Sequence, residues 1–156
     1  MIALKTILVA TDFGEAADAA LTYGRALARM FGGTLHLLHI TQNQFLRPMA
    51  ASPHHAEEAI RRRLNELLSD QDRRGLDADV TLEISDAPAE AIVEYAHRIA
   101  ADLIVMGTHG RTGLDRFLTG SVAEHVVRMA PCPVLTVRDR ARAFVVADVA
   151  PEAARV

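Results

Sequence analysis

Five strand-like runs alternate with four stretches that carry helical spacing, and this alternation limits the chain to very few architectures. Thr6-Ile-Leu-Val-Ala10 is a continuous apolar run, as a strand covered on both faces must be. Ala17, Ala20, Leu21, Gly24, Leu27, Ala28 and Phe31 follow at helical intervals, and Gly32-Gly33 closes that helix. A second strand, rich in Leu and Ile, spans 34–41. Residues 42–53 carry Pro48 and Pro53 without periodicity and read as a loop, long for a connection of this kind. Ile60, Leu64, Leu67 and Leu68 mark a helix that Gly75 ends, with Arg61, Arg62 and Arg63 on its solvated side. Val80 to Ser85 alternates apolar with polar, as a less buried third strand does.

Asp86 and Pro88 form a helix-start signal, capping oxygen first and fixed φ in the first turn. That helix runs through Ile92, Val93, Ala96 and Ile99. Leu103–Met106 is the fourth strand, Val122, Ala123, Val126, Val127 and Ala130 lie on the fourth helix, and Pro133–Val137 is the fifth strand. Repeated β-α units with buried strands predict an α/β fold: a doubly wound, open, five-stranded parallel sheet with helices on both faces. The 156 residues fit one domain over 1–138, followed by a tail at 139–156 with an apolar patch at Phe144-Val-Val146.

Composition excludes several functions. Net charge is −3, the basic residues are scattered, and the aromatics are two Tyr and five Phe with no Trp, so no basic, aromatic groove for nucleic acid is expected. The lone Cys132, between Pro131 and Pro133, allows neither an intramolecular disulfide nor a zinc cluster and reads as a buried structural thiol. His54 and His55 have no partner at ligand spacing and read as a solvated helix start. No run is long and apolar enough for a signal peptide or a membrane segment, which points to a cytoplasmic protein. Lys5 is the one lysine among 17 basic residues, so any phosphate is bound without a P-loop lysine.

In an open doubly wound sheet, ligands sit beyond the carboxyl ends of the strands, where strand order reverses. After the first strand comes Thr11-Asp12-Phe13, and after the fourth comes Gly107-Thr-His-Gly110-Arg-Thr-Gly113-Leu-Asp-Arg-Phe-Leu-Thr-Gly120-Ser121. If both serve one ligand, strands one and four are neighbours, as in a 3-2-1-4-5 order. Gly107 and Gly110 allow close backbone approach, and Gly120-Ser121 opens a helix whose free amides attract anions. Ser121 offers a hydroxyl, Arg111 a charge, and His109 a donor near ribose or phosphate. The competing readings are plainer: turn glycines, and Ser121 as a simple cap. Asp12 likewise either caps the first helix or meets a nucleotide's polar edge or a metal-bound water, and the two roles are compatible.

Gly107-x2-Gly110-x9-Gly120-Ser121 resembles the nucleotide-binding signature of the ATP-binding universal stress proteins. Ile7-Leu-Val-Ala-Thr-Asp12-Phe, Leu37-Leu-His-Ile40 and Cys132-Pro-Val-Leu-Thr-Val137 resemble that family too, over roughly residues 2–138. The resemblance implies the 3-2-1-4-5 sheet, a homodimer through the last strand, and ATP with Mg²⁺ between strands one and four. It places Ala10, Thr11 and Asp12 on the adenosine side, with a backbone contact from Ile40 to adenine. Met106, Gly107, His109 and Gly110 continue under ribose and phosphates, and Arg111, Gly120, Ser121 and Val122 surround the phosphate tail. It implies a nucleotide-dependent stress-response regulator acting on a protein partner that the residues do not name. The alternative on the same fold is a slow ATPase or self-phosphorylating enzyme. Asp12 and Asp115 are the acidic candidates there, and no carboxylate pair is assembled for a metal, so binding is the expected function.

Overall fold

Ile7, Leu8 and Val9 have no exposed surface at all, as suits a strand in the middle of a sheet covered on both faces. The computed structural model describes residues 1–46, 53–108, 120–139 and 142–145. Its strands are β1 (Thr6–Ala10), β2 (Thr34–Thr41), β3 (Asp77–Ile84), β4 (Leu103–Gly107) and β5 (Val134–Val137). All pairings are parallel, in the order β3-β2-β1-β4-β5. The predicted order is therefore the observed one. Ala10 stands level with Leu38 of β2 on one side and Met106 of β4 on the other.

The strand period of two divides the core. Ile7 and Val9 join Ala20, Leu21 and Ala28 of helix α1 (Glu15–Phe31) and Leu64 of α3 (Pro53–Glu66) in one cluster. Leu8 and Ala10 join Ile92, Tyr95 and Ala96 of α5 (Pro88–Arg98), and Ala123 and Val126 of α6 (Gly120–Met129), in the other. The sheet is thus covered on both faces. α1 ends as expected, with Gly32 in the left-handed region at φ 62°.

Four local expectations are corrected. The helix expected to run on to Gly75 breaks after Glu66, and a separate helix, α4 (Asp70–Gly75), follows. Ser69 starts it with a capping box: its hydroxyl accepts from the Asp72 amide at 3.1 Å, and the Asp72 carboxylate accepts from the Ser69 amide at 2.9 Å. Asp86 does not cap α5. Ala87 holds that position, and the Asp86 carboxylate accepts instead from the backbone and side-chain nitrogens of Asn43, both at 3.0 Å. Asn43 belongs to a short helix, α2 (Asn43–Leu46), inside the stretch expected to be loop. β3 begins three residues earlier than its alternation indicated, at Asp77. Of the tail, Phe144 donates its amide to the Tyr23 hydroxyl of α1 at 3.2 Å, and the two rings meet edge to face at 4.5 Å.

Candidate functional site

β1 and β4 lie side by side, and the chain leaves them in different directions, β1 into α1 and β4 toward α6. The crevice at their carboxyl ends is the switch point of this sheet. Beyond Ala10, Thr11 donates its amide to the Leu38 carbonyl at 2.9 Å, and there β1 stops pairing with β2. The Phe13 amide turns back to the Thr11 hydroxyl at 3.0 Å.

This turn leaves a rung of β2 open. Leu38 faces β1 through its backbone, whereas Thr41 faces β3, accepting from Ser85 at 2.9 Å. Parallel pairing alternates residue by residue, so Ile40 is the next to face the β1 side, where β1 no longer runs. Its backbone edge therefore fronts the crevice, as a backbone contact to a ligand requires. Its half-buried side chain packs on the second core cluster.

Asp12 resolves between its two readings. Oδ1 accepts from the Gly14 amide at 2.8 Å, closing a turn just before α1, while the helix cap itself is Gly14, without a side-chain bond. Oδ2 takes no hydrogen bond from any described residue. One carboxylate oxygen thus fixes the turn while the other stays available at the crevice.

Gly107, the last residue of β4, has a packing reason to be glycine that the sequence did not show. A Cβ there would stand 2.7 Å from the Ala16 Cβ and 2.8 Å from its carbonyl carbon. The close approach is to the first turn of α1, which is thereby held against the end of β4. Ala10 and Met106 are 9% and 5% exposed and belong to the second core cluster, so the crevice meets their strand ends rather than their side chains. Val122 also packs on that cluster. Gly120 and Ser121 are the first two residues of α6. His109, Gly110, Arg111 and Asp115 lie outside the described residues.

The structure adds residues that periodicity did not single out. His39 Nδ1 carries a proton to the Thr11 carbonyl at 2.7 Å, and the Phe13 ring lies 4.5 Å from the imidazole. A histidine one residue beyond the last β1–β2 pair was the available signal. Cys132 is half-buried, and burial pushes its thiol pKa up, consistent with an inert thiol. His54 and His55 are exposed in the first turn of α3. Among the described residues no three His, Cys, Asp or Glu side chains gather as a metal site, and no helix is long and apolar enough to cross a membrane.

Comparison with known proteins agrees with this layout. Residues 3–138 match the model of the universal stress protein family. The chain is 33% identical over 145 residues to universal stress protein MJ0531 of Methanocaldococcus jannaschii, covering 86% of this chain and 82% of that one. The solved structure of protein MJ0577 superposes with a TM-score of 0.74 at 26% identity, covering 90% of this chain and all of that one. A solved universal stress protein in complex with cAMP gives a TM-score of 0.65 at 25% identity, over 88% and 99% of the two chains.

Proposed function

Because the chain belongs to the universal stress protein family, we propose that it is a nucleotide-dependent stress-response regulator that binds ATP, with Mg²⁺ on the phosphates, in the crevice between β1 and β4. One observation carries this reading. The glycine signature starts on the last residue of β4, at Gly107, and ends on the first turn of α6, at Gly120-Ser121. It therefore runs from the end of a central strand to the start of a helix at the switch point, the setting in which backbone amides meet phosphate. The relative bound to cAMP supports an adenine nucleotide as the ligand class.

The residues fit such a ligand. The open backbone rung at Ile40 suits the hydrogen-bonding edge of adenine, and the free oxygen of Asp12 suits a hydroxyl or a metal-bound water. The strand ends at Ala10, Thr11 and Met106 form the floor. Phosphates belong to the amides and side chains of Gly107, His109, Gly110, Arg111, Gly120, Ser121 and Val122. The nucleotide unit is 1–138 with 139–156 as a tail, and the protein works in the cytoplasm as a homodimer joined through β5, passing its occupancy to a regulatory protein.

Slow hydrolysis or self-phosphorylation has less support. Phosphoryl transfer needs charge stabilisation and a positioned base or nucleophile, and Asp12 is committed through one oxygen to the turn before α1. Denaturing extraction of the purified protein, followed by chromatography of what is released, tests the proposal. ATP in near-stoichiometric amount supports it. ADP and phosphate accumulating from added ATP favours the enzyme, and protein that neither carries nor takes up adenine nucleotide refutes both.

A further inference from the structure

Arg63 comes from the last turn of α3, outside the glycine signature, yet it reaches the turn that borders the crevice. Its guanidinium carbon stands over the Phe13 ring, 4.4 Å from the centroid. Arg61 of the same helix is paired with Glu57 at 2.9 Å, whereas Arg63 makes no ion pair with any described residue. Among the described residues its partner is the aromatic face, which a planar guanidinium suits well.

Phe13 needs holding. It has φ 65°, a left-handed conformation that a bulky side chain adopts only when its surroundings impose it. The other described non-glycine residue with positive φ, Ala100, merely follows a helix end. Phe13 instead sits between two residues of the crevice, Asp12 and Gly14. Its amide is tied to the Thr11 hydroxyl, its ring leans on His39 on one side, and Arg63 covers it. His39 in turn holds the Thr11 carbonyl at 2.7 Å. Arg63, Phe13, His39 and Thr11 thus form a continuous stack from α3 through β2 to the end of β1.

We propose that Arg63 is a positioning residue of the site: by pressing the Phe13 ring against His39 it holds the strained turn in which Asp12 closes on Gly14. It thereby sets where the free oxygen of Asp12 and the end of β1 stand relative to a bound nucleotide. The inference rests on nucleotide binding at this crevice, and its test separates the two.

Arg63→Met keeps most of the stem and removes the cation, and Arg63→Lys keeps a cation. Both are exposed substitutions, so the thermal midpoint of the nucleotide-free protein is expected to fall by no more than about 2–4 °C. Two quantities are then read for each: ATP affinity by calorimetry, and amide exchange at Phe13 and Gly14 by NMR without nucleotide. Arg63→Met is expected to weaken ATP by about two- to fivefold and to speed exchange of the Gly14 amide, whereas Arg63→Lys retains most of both. Arg63→Met with wild-type affinity overturns the positioning role. Weakened affinity with unchanged Phe13 and Gly14 amides also overturns it, since Arg63 then acts on the ligand directly. If the wild type binds no adenine nucleotide, the functional proposal fails, and unchanged amides in Arg63→Met overturn the hold on the turn independently.

Discussion

Gly107 and Gly120 belong to one signature, but they answer to different neighbours. At Gly107 any side chain meets the backbone of Ala16 and Ala17 within 3 Å, and backbone cannot move aside as a flexible side chain can. Gly107→Val is therefore expected to cost about 2 kcal/mol of stability whether or not nucleotide is present, which lowers the thermal midpoint by roughly 4–8 °C. Gly120 opens α6 at the far end of the loop. Gly120→Val is expected to leave the midpoint of the nucleotide-free protein in place and to abolish ATP binding, because a branched side chain stands where phosphate must approach. Thermal melts with and without ATP separate the two. A Gly107→Val protein that melts like the wild type contradicts the packing account, and a Gly120→Val protein with full affinity contradicts the phosphate loop.

Among the elements, α4 shows what apolar periodicity hides. Leu64, Leu67 and Leu68 fit one continuous helix, but Ser69-x-x-Asp72 ends it, because a side chain offering the backbone a closer partner competes with helix propagation. The capping spacing was legible, and what it overrode was a weaker signal. Asp86 failed as a cap for a related reason: Asn43, 43 positions earlier, offers its carboxylate two donors, a tertiary contact no local rule contains. Asp72 carries a testable consequence. It is 3% exposed and paired with Arg25 at 3.0 Å and Arg29 at 2.6 Å, both from α1. Burial pushes its pKa up, but the hydrogen bonds from Ser69 and the two guanidinium charges outweigh that and hold it below the ordinary 3.8. A lowered carboxyl pKa stabilises the fold fully above the unfolded value, and this contribution is lost as pH falls through the folded one. Asp72→Ala is expected to cost about 3 kcal/mol at neutral pH, since two guanidinium groups lose their counter-charge. The difference from wild type should shrink when denaturant titrations are repeated below pH 3.8. A constant difference across that range contradicts the linkage.

The whole sheet was legible because buried parallel strands are nearly uninterrupted apolar runs, and β1, β2 and β4 are of that kind. The turn at Phe13, the open rung at Ile40 and the stack beneath Arg63 were not legible. Each depends on residues from separate strands and helices meeting at one end of the sheet. At the opposite flank, β5 is an edge strand with β4 as its pairing partner. Pro133 accepts from Ile104 of β4 and Val137 from Thr108 just beyond it, so the amides of Val134 and Thr136 point to the open side. The described part of the tail docks on Tyr23 of α1. Val127 and Met129 of α6, the helix that packs beside β5, are 54% and 55% exposed. The proposed two-fold mate would cover this edge. Light scattering is expected to give a dimer, and Val134→Pro or Thr136→Pro to give monomers, each by removing an outward donor. A strict monomer at high concentration ends the dimer proposal. Calorimetric titration of the nucleotide-free protein with Mg-ATP and Mg-GTP decides whether the switch-point crevice reads adenine and holds its phosphates. Saturable binding of ATP is expected, distinctly tighter than GTP, with the stability gain of roughly 2.7 kcal/mol that a hundredfold excess over Kd confers. Equal affinity for the two nucleotides, or no binding of ATP, contradicts it.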